Sequence, residues 1–89
     1  MSQRFDKDDD ARLDYVIDWT EWLGGDIINT SSWETEEGLL IDADTNDGSR
    51  TTVWVSGGTI GVIYDVTNHI ITDAGREDER TIRIYVREA

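Results

Sequence analysis

The stretch IGVIYDVTNHIIT, residues 60–72, sets the period of the chain. Its even positions are Ile60, Val62, Tyr64, Val66, Asn68, Ile70 and Thr72. Its odd positions include Ile63, Asp65, Thr67, His69 and Ile71. A repeat of two turns one set toward a core and the other outward, which is the pattern of a strand in a half-buried sheet. It reads as the longest strand of the molecule. Asp73 to Asp78 follow as a loop, and residues 80–86 return with Ile82, Ile84 and Val86 inward and Arg83, Tyr85 and Arg87 outward. These two segments predict an antiparallel hairpin.

Working back from residue 60, the turn Gly57-Gly58 and then Gly61 bring the chain into this strand. Tyr64 lies just after them. A tyrosine there either sends its hydroxyl back to an upstream backbone group, as in the tyrosine corner of Greek-key sandwiches, or is a plain core residue. Tyr64, Gly57, Gly58 and Gly61 are thus the fold-defining positions. Residues 51–56 alternate Val53 and Val55 against Thr52, Trp54 and Ser56. Residues 39–43 form a short apolar strand. Residues 26–35 form another, in which Ile28 and Trp33 have opposite parity, so either a bulge falls at Ser31-Ser32 or one of them faces out. Leu13, Tyr15, Ile17 and Trp19 share one face of residues 13–20. A helical turn follows at residues 20–25, with Asp18 or Thr20 as cap and Gly24-Gly25 as stop. Trp19 and Trp22 then face the same way. Residues 1–10, with Phe5 alone among charges, read as a flexible acidic leader. The expectation is one all-β domain over residues 11–89, an immunoglobulin-like antiparallel sandwich of six to seven strands.

Composition narrows the function. The chain has 89 residues, no cysteine, no proline and a net charge of −12. Without cysteine there are neither disulfides nor thiolate metal sites. No apolar run approaches the roughly 20 residues a membrane helix needs, and the charged start lacks the apolar centre of a secretory signal. The acidity argues against binding nucleic acid or anionic lipid. It is uneven: residues 1–49 hold 14 Asp/Glu against 3 Lys/Arg, and residues 50–89 hold 6 against 5.

No constellation for catalysis stands out. The single histidine, His69, falls on an outward face without a nucleophile motif beside it. The segment DADTNDG, residues 42–48, invites a calcium reading. An EF-hand loop starting at Asp42 needs glycine at position 6 and glutamate at position 12. Asp47 and Val53 stand there, so the segment reads as a strand connection, with a looser sandwich-edge calcium site as the other possibility. Four tryptophans are many for this length. An outward Trp54 beside Ile63, His69, Ile71 and Tyr85 makes a candidate contact patch, and the loop with Arg76 and Arg80 makes a second. Sugar stacking on tryptophan is a rival use of the first.

Two segments carry a resemblance: KDDDARLDYVIDWTEWL, residues 7–23, and TTVWVSGGTIGVIYDVTNHIITDAGREDERTIRIYVRE, residues 51–88. Together they resemble a family of small immunoglobulin-like proteins of tailed bacteriophages and prophages, the fiber–tail adaptors. The family usually has proline where Asp9 stands here, and residues 29–50 match it only loosely. The resemblance implies a β-sandwich in the virion tail, folded in the host cytoplasm before assembly. It implies contacts with tail, baseplate or fiber proteins in several copies per assembly, no enzyme activity and no cofactor. The alternative read from residues alone is a calcium-dependent or carbohydrate-binding sandwich module.

Overall fold

Seven strands and a one-turn helix run along residues 3–88, the span that the computed structural model describes. They are β1 (Gln3–Asp8), β2 (Leu13–Asp18), α1 (Thr20–Leu23), β3 (Ile28–Thr35), β4 (Leu39–Asn46), β5 (Arg50–Gly57), β6 (Ile63–Thr72) and β7 (Glu77–Arg87). The strands form two sheets, a four-stranded one in the order β1-β7-β6-β3 and a three-stranded one in the order β2-β5-β4. Every pairing is antiparallel except β1 with β7. The two sheets face each other across one core, so the molecule is an all-β sandwich.

The core is built from the inward sets of the alternating strands. Tyr15 and Ile17 of β2, Val53 and Val55 of β5, Tyr64, Val66 and Ile70 of β6, and Ile82, Ile84 and Val86 of β7 are all buried. Trp19 closes one end and is fully enclosed. Its ring meets Trp22 edge-on, 5.5 Å between centroids, as their spacing on a helical turn predicts. The N-cap position is Trp19, which makes no side-chain cap bond; Asp18, two residues before α1, accepts from the Thr20 backbone N–H and hydroxyl instead. Gly24, at φ +57°, ends it in the left-handed region that glycine enters freely.

Within this core lies one polar knot. Asn68 of β6 is fully buried and uses its whole hydrogen-bonding capacity. Its Oδ1 accepts from Trp19 Nε1 at 3.0 Å and from the Thr51 hydroxyl at 2.7 Å. Its Nδ2 donates to Ser31 Oγ at 2.9 Å and to the Ser32 carbonyl at 3.0 Å. One side chain therefore ties β3 and β6 of one sheet to β5 and Trp19 of the other.

Several expectations change. Residues 3–8 are a strand, where charge had suggested a flexible leader; residues 1 and 2 lie outside the described residues. The parallel register sets Phe5 opposite Ile84 and Lys7 opposite Val86 on the inward side. Phe5 packs on Tyr15 of the other sheet with ring centroids 4.9 Å apart. Lys7 is only 1% exposed, and its Nζ donates to the carbonyls of Asp8 and Gly57, each at 2.8 Å. Burial pushes the Lys7 ammonium below the usual lysine range, against the pull of Asp9, Asp10 and Asp8. The bulge in β3 falls between Ile28 and Thr30 rather than at Ser31-Ser32, and Trp33 faces in opposite Asn68. A second shift, between Ile41 and Ala43, lets β4 run on to Asn46. The segment at residues 60–72 starts as a turn, so β6 begins at Ile63 and β7 is the longer strand.

Tyr64 is buried, and its hydroxyl accepts from the Thr59 backbone N–H at 2.9 Å. This is the upstream backbone contact expected of a corner tyrosine. Gly58 lies beneath it at φ +101°, where an added Cβ would sit 2.6 Å from Val86 Cγ2. Tyr64→Phe is expected to lower stability by about 1–2 kcal/mol, because the Thr59 donor loses its partner while the ring stays packed. Urea unfolding of the two proteins side by side measures it.

Candidate interaction surfaces

The strands carry two outward faces, one on each sheet, and they divide the expected patch. Ile63 and Tyr85 are cross-strand neighbours on the outer face of the four-stranded sheet. His69 and Ile71 lie farther along the same face, toward Glu79 and Glu77 of β7. Trp54 belongs to β5 of the other sheet and looks out on the opposite side of the sandwich. Parity had said that all of these point outward, and they do. It could not say which sheet each strand joins.

Charge pairs lace the face around Tyr85. Arg4 stacks over its ring at 5.0 Å. Arg83 meets Asp65 at 3.3 Å, and Arg87 reaches Asp6 and Asp8 at 3.9 and 3.7 Å. Such exposed pairs add little stability but fix where each charge sits. On the opposite face, Arg12 covers the Trp54 ring at 4.8 Å while its Nε donates to Asp42 at 3.0 Å. Trp54 is thus half-covered by a guanidinium rather than bare.

Arg76 and Arg80 are drawn into the molecule. Arg76 stacks over Trp22 at 4.0 Å and donates to the Trp22 carbonyl at 2.9 Å. Arg80 stacks over Trp19 at 4.2 Å and donates to the Asp18 carbonyl at 3.1 Å. The two arginines clamp α1 to the hairpin of β6 and β7. Glu77 to Arg80 are part of β7 itself, so the turn is confined to residues before them.

His69 sits between two carboxylates, 3.0 Å from Glu77 and 3.5 Å from Glu79. The bond to Glu77, then that to Glu79, holds its pKa above the ordinary histidine value of 6.5. A raised folded-state pKa gives stability that is full below the unfolded value and is lost as pH rises through the folded one. The stability difference between the protein and its His69→Gln variant should therefore shrink from pH 6 to pH 8.5, as read by thermal melts across that range.

In the DADTNDG segment Asp42 pairs with Arg12, and Asn46 and Asp47 spend their oxygens locally. Asp42, Asp44 and Asn46 lie in β4. Asp47 Oδ1 accepts from the backbone N–H groups of Ser49 at 3.0 Å and Arg50 at 2.7 Å. These bonds, the one to Arg50 foremost, bring its pKa down to about 2. Asn46 accepts from Gly48 N–H at 3.0 Å. Among the described residues, no group of three or more His, Asp or Glu is placed to hold a metal ion.

A surface that the alternation did not single out lies at one end of the sandwich. There β2, β4 and β6 begin and β5 ends. Leu13, Leu40, Ile60, Val62 and Ile63 are all exposed at this end, five of the eight large apolar side chains exposed among the described residues. Leu40, 60% exposed, abuts Gly57 at the start of the turn that carries Ile60, itself 49% exposed. Val62 is held by hydrogen bonds from its N–H to Thr59 and from Val86 to its carbonyl. Leu40 looks out from the three-stranded sheet and Ile63 and Tyr85 from the four-stranded one, so the apolar groups ring this end of the sandwich. The signal was in the sequence, since Ile60 and Val62 lie next to turn glycines, but a strand reading from residue 60 assigned both to the core.

Comparison with known proteins now bears on these surfaces. None of the curated proteins matches the chain. A family model described as Podophage GP4 fiber-tail adaptor protein gp77 matches residues 7–85. The matched span begins at the buried Lys7 and takes in β2 to β6 and nearly all of β7. That match covers the sandwich almost from edge to edge, and the chain belongs to the Gp77 family of podophage fiber-tail adaptor proteins.

Proposed function

We propose that this adaptor makes its principal apolar contact with a neighbouring tail or fiber protein through the end formed by Leu40, Ile60, Val62, Ile63 and Tyr85. Family membership makes the chain a structural component of the podophage tail, a linker between components rather than an enzyme. What supports the choice of surface is the concentration of exposed apolar groups there. Large exposed apolar side chains gathered in one region mark contact sites, whereas scattered ones need no explanation. Trp54 and the His69–Ile71 end of the opposite face offer smaller secondary contacts, and Arg76 and Arg80 serve the fold.

The sandwich itself supports an immunoglobulin-like reading. Taken in chain order as A to G, its strands place B-E-D in one sheet and C-F-G in the other, with the first strand moved beside the last. Tyr64 at the start of the sixth strand, bonded upstream, fits the same scheme.

A Leu40→Ser/Ile60→Ser double variant tests the contact surface. Both side chains are largely solvated, so its melting temperature should stay within a few degrees of the unmodified protein. Its recovery in purified tails should fall at least tenfold. Recovery at the unmodified level would move the contact elsewhere.

A further inference from the structure

A sandwich of two open sheets has four edge strands, and exposed edges invite unwanted pairing unless they are blunted. Three of the four edges here carry such devices. β1 alternates Arg4, Asp6 and Asp8 outward and turns the charged Lys7 inward. β3 and β4 pack along one another and each is broken by a register shift. β2 is the least protected: its outward charges are Asp14 and Asp18 alone, both acidic, it pairs with β5 over six residues without a shift, and it contains no Lys, Arg, Gly or Pro.

The phase of its hydrogen bonds says which groups are open. Trp19 N–H donates to the Ser49 carbonyl at 2.9 Å, continuing the β2–β5 ladder. In an antiparallel pair only alternate residues bond across. Leu13, Tyr15 and Ile17 thus bond to β5, while the N–H and C=O of Asp14 and Val16 and the N–H of Asp18 point to the free edge. The Asp18 carbonyl is taken by Arg80. The side chains of Asp14, Val16 and Asp18 all lie on the outer face, with Val16 46% exposed.

We propose that β2 is an acceptor edge for an extended segment of another tail protein, which adds a fourth strand to the three-stranded sheet. This rests on the adaptor reading above. The side-chain pattern specifies the occupant: an apolar residue beside Val16, with Lys or Arg two residues to either side facing Asp14 and Asp18. Opposite charges across strands stabilise pairing and like charges oppose it. A second copy of this chain is therefore a poor occupant. Two β2 strands paired antiparallel about Val16 set Asp14 against Asp18 twice, between molecules of net charge −12 each.

The test compares amide hydrogen exchange in the free protein and in assembled tails, together with two variants. Val16→Pro deletes an outward N–H that no ladder bond uses, a place where an edge strand tolerates proline. Asp14→Lys keeps the backbone and reverses one charge. The expected result is at least tenfold slower exchange at Asp14, Val16 and Asp18 in tails, and at least tenfold lower recovery in tails of both variants as folded proteins. Should Val16→Pro fail to fold, Asp14→Lys decides alone. Unmodified protein present in tails with these amides still exchanging as fast as in solution would overturn the acceptor edge and leave the adaptor role standing. Absence of the unmodified protein from tails would overturn the adaptor role and the edge with it. The same protection arising from dimers of the purified protein would overturn the choice of occupant.

Discussion

Replacing Trp19 with alanine is expected to cost about 3–5 kcal/mol of folding free energy, the usual toll for deleting a large buried aromatic. Trp19 is fully enclosed between the sheets at the α1 end. Removing it opens a cavity there, strips Trp22 of its edge contact and takes from Arg80 the ring it stacks on. It also leaves Asn68 Oδ1 with Thr51 as its single donor. A domain of this size has about 5–15 kcal/mol to lose, and each kcal/mol moves its melting temperature by about 4–8 °C. Urea titration followed by circular dichroism should show a midpoint far below that of the unmodified protein. Trp19→Phe, which keeps most of the volume, should recover about half of the loss.

Asn68→Leu is expected to destabilise by on the order of 3 kcal/mol, although it puts an apolar side chain of similar size into a buried site. The reason is the four bonds that Asn68 completes. Without it, the buried Trp19 indole N–H loses its partner, at a cost of about 1–3 kcal/mol, and the part-buried Ser32 carbonyl loses one too at a smaller cost. The hydroxyls of Thr51 and Ser31 can rotate toward other partners and should contribute less. Because Trp19 and Asn68 share one of these bonds, their effects should not add. The double variant should be less unstable than the two singles combined by about 0.5–3 kcal/mol. Strict additivity in denaturant titrations would show that the bond between them contributes nothing.

The alternating strands were legible because a period of two leaves no choice about faces. Val53, Val55, Tyr64, Val66, Asn68, Ile70, Ile82, Ile84 and Val86 are inward as the pattern required. The family was legible too, through the segments at residues 7–23 and 51–88, and the family match over residues 7–85 agrees. What escaped depended on partners distant in the chain. Lys7 looks like a surface charge until the Gly57 carbonyl, fifty residues on, is placed beside its ammonium. Arg76 and Arg80 look like a free basic tip until Trp22 and Trp19 come beneath them. Parity put Trp54, Ile63, Ile71 and Tyr85 outward without saying that β5 belongs to a different sheet from β6 and β7. Ile60 and Val62 were the costliest misreading for function, since extending the strand to residue 60 hid the most apolar end of the molecule inside its core.

The surfaces described here gain their meaning from the claim that this protein joins fiber to tail. Deletion of its gene, with the resulting particles purified and their proteins quantified by mass spectrometry, tests that claim most directly. The prediction is that intact particles contain the chain and that particles without it keep their tails but lose their fibers, with fiber recovery restored when the purified protein is supplied. Particles that lack the chain and still carry fibers at the normal level would contradict it.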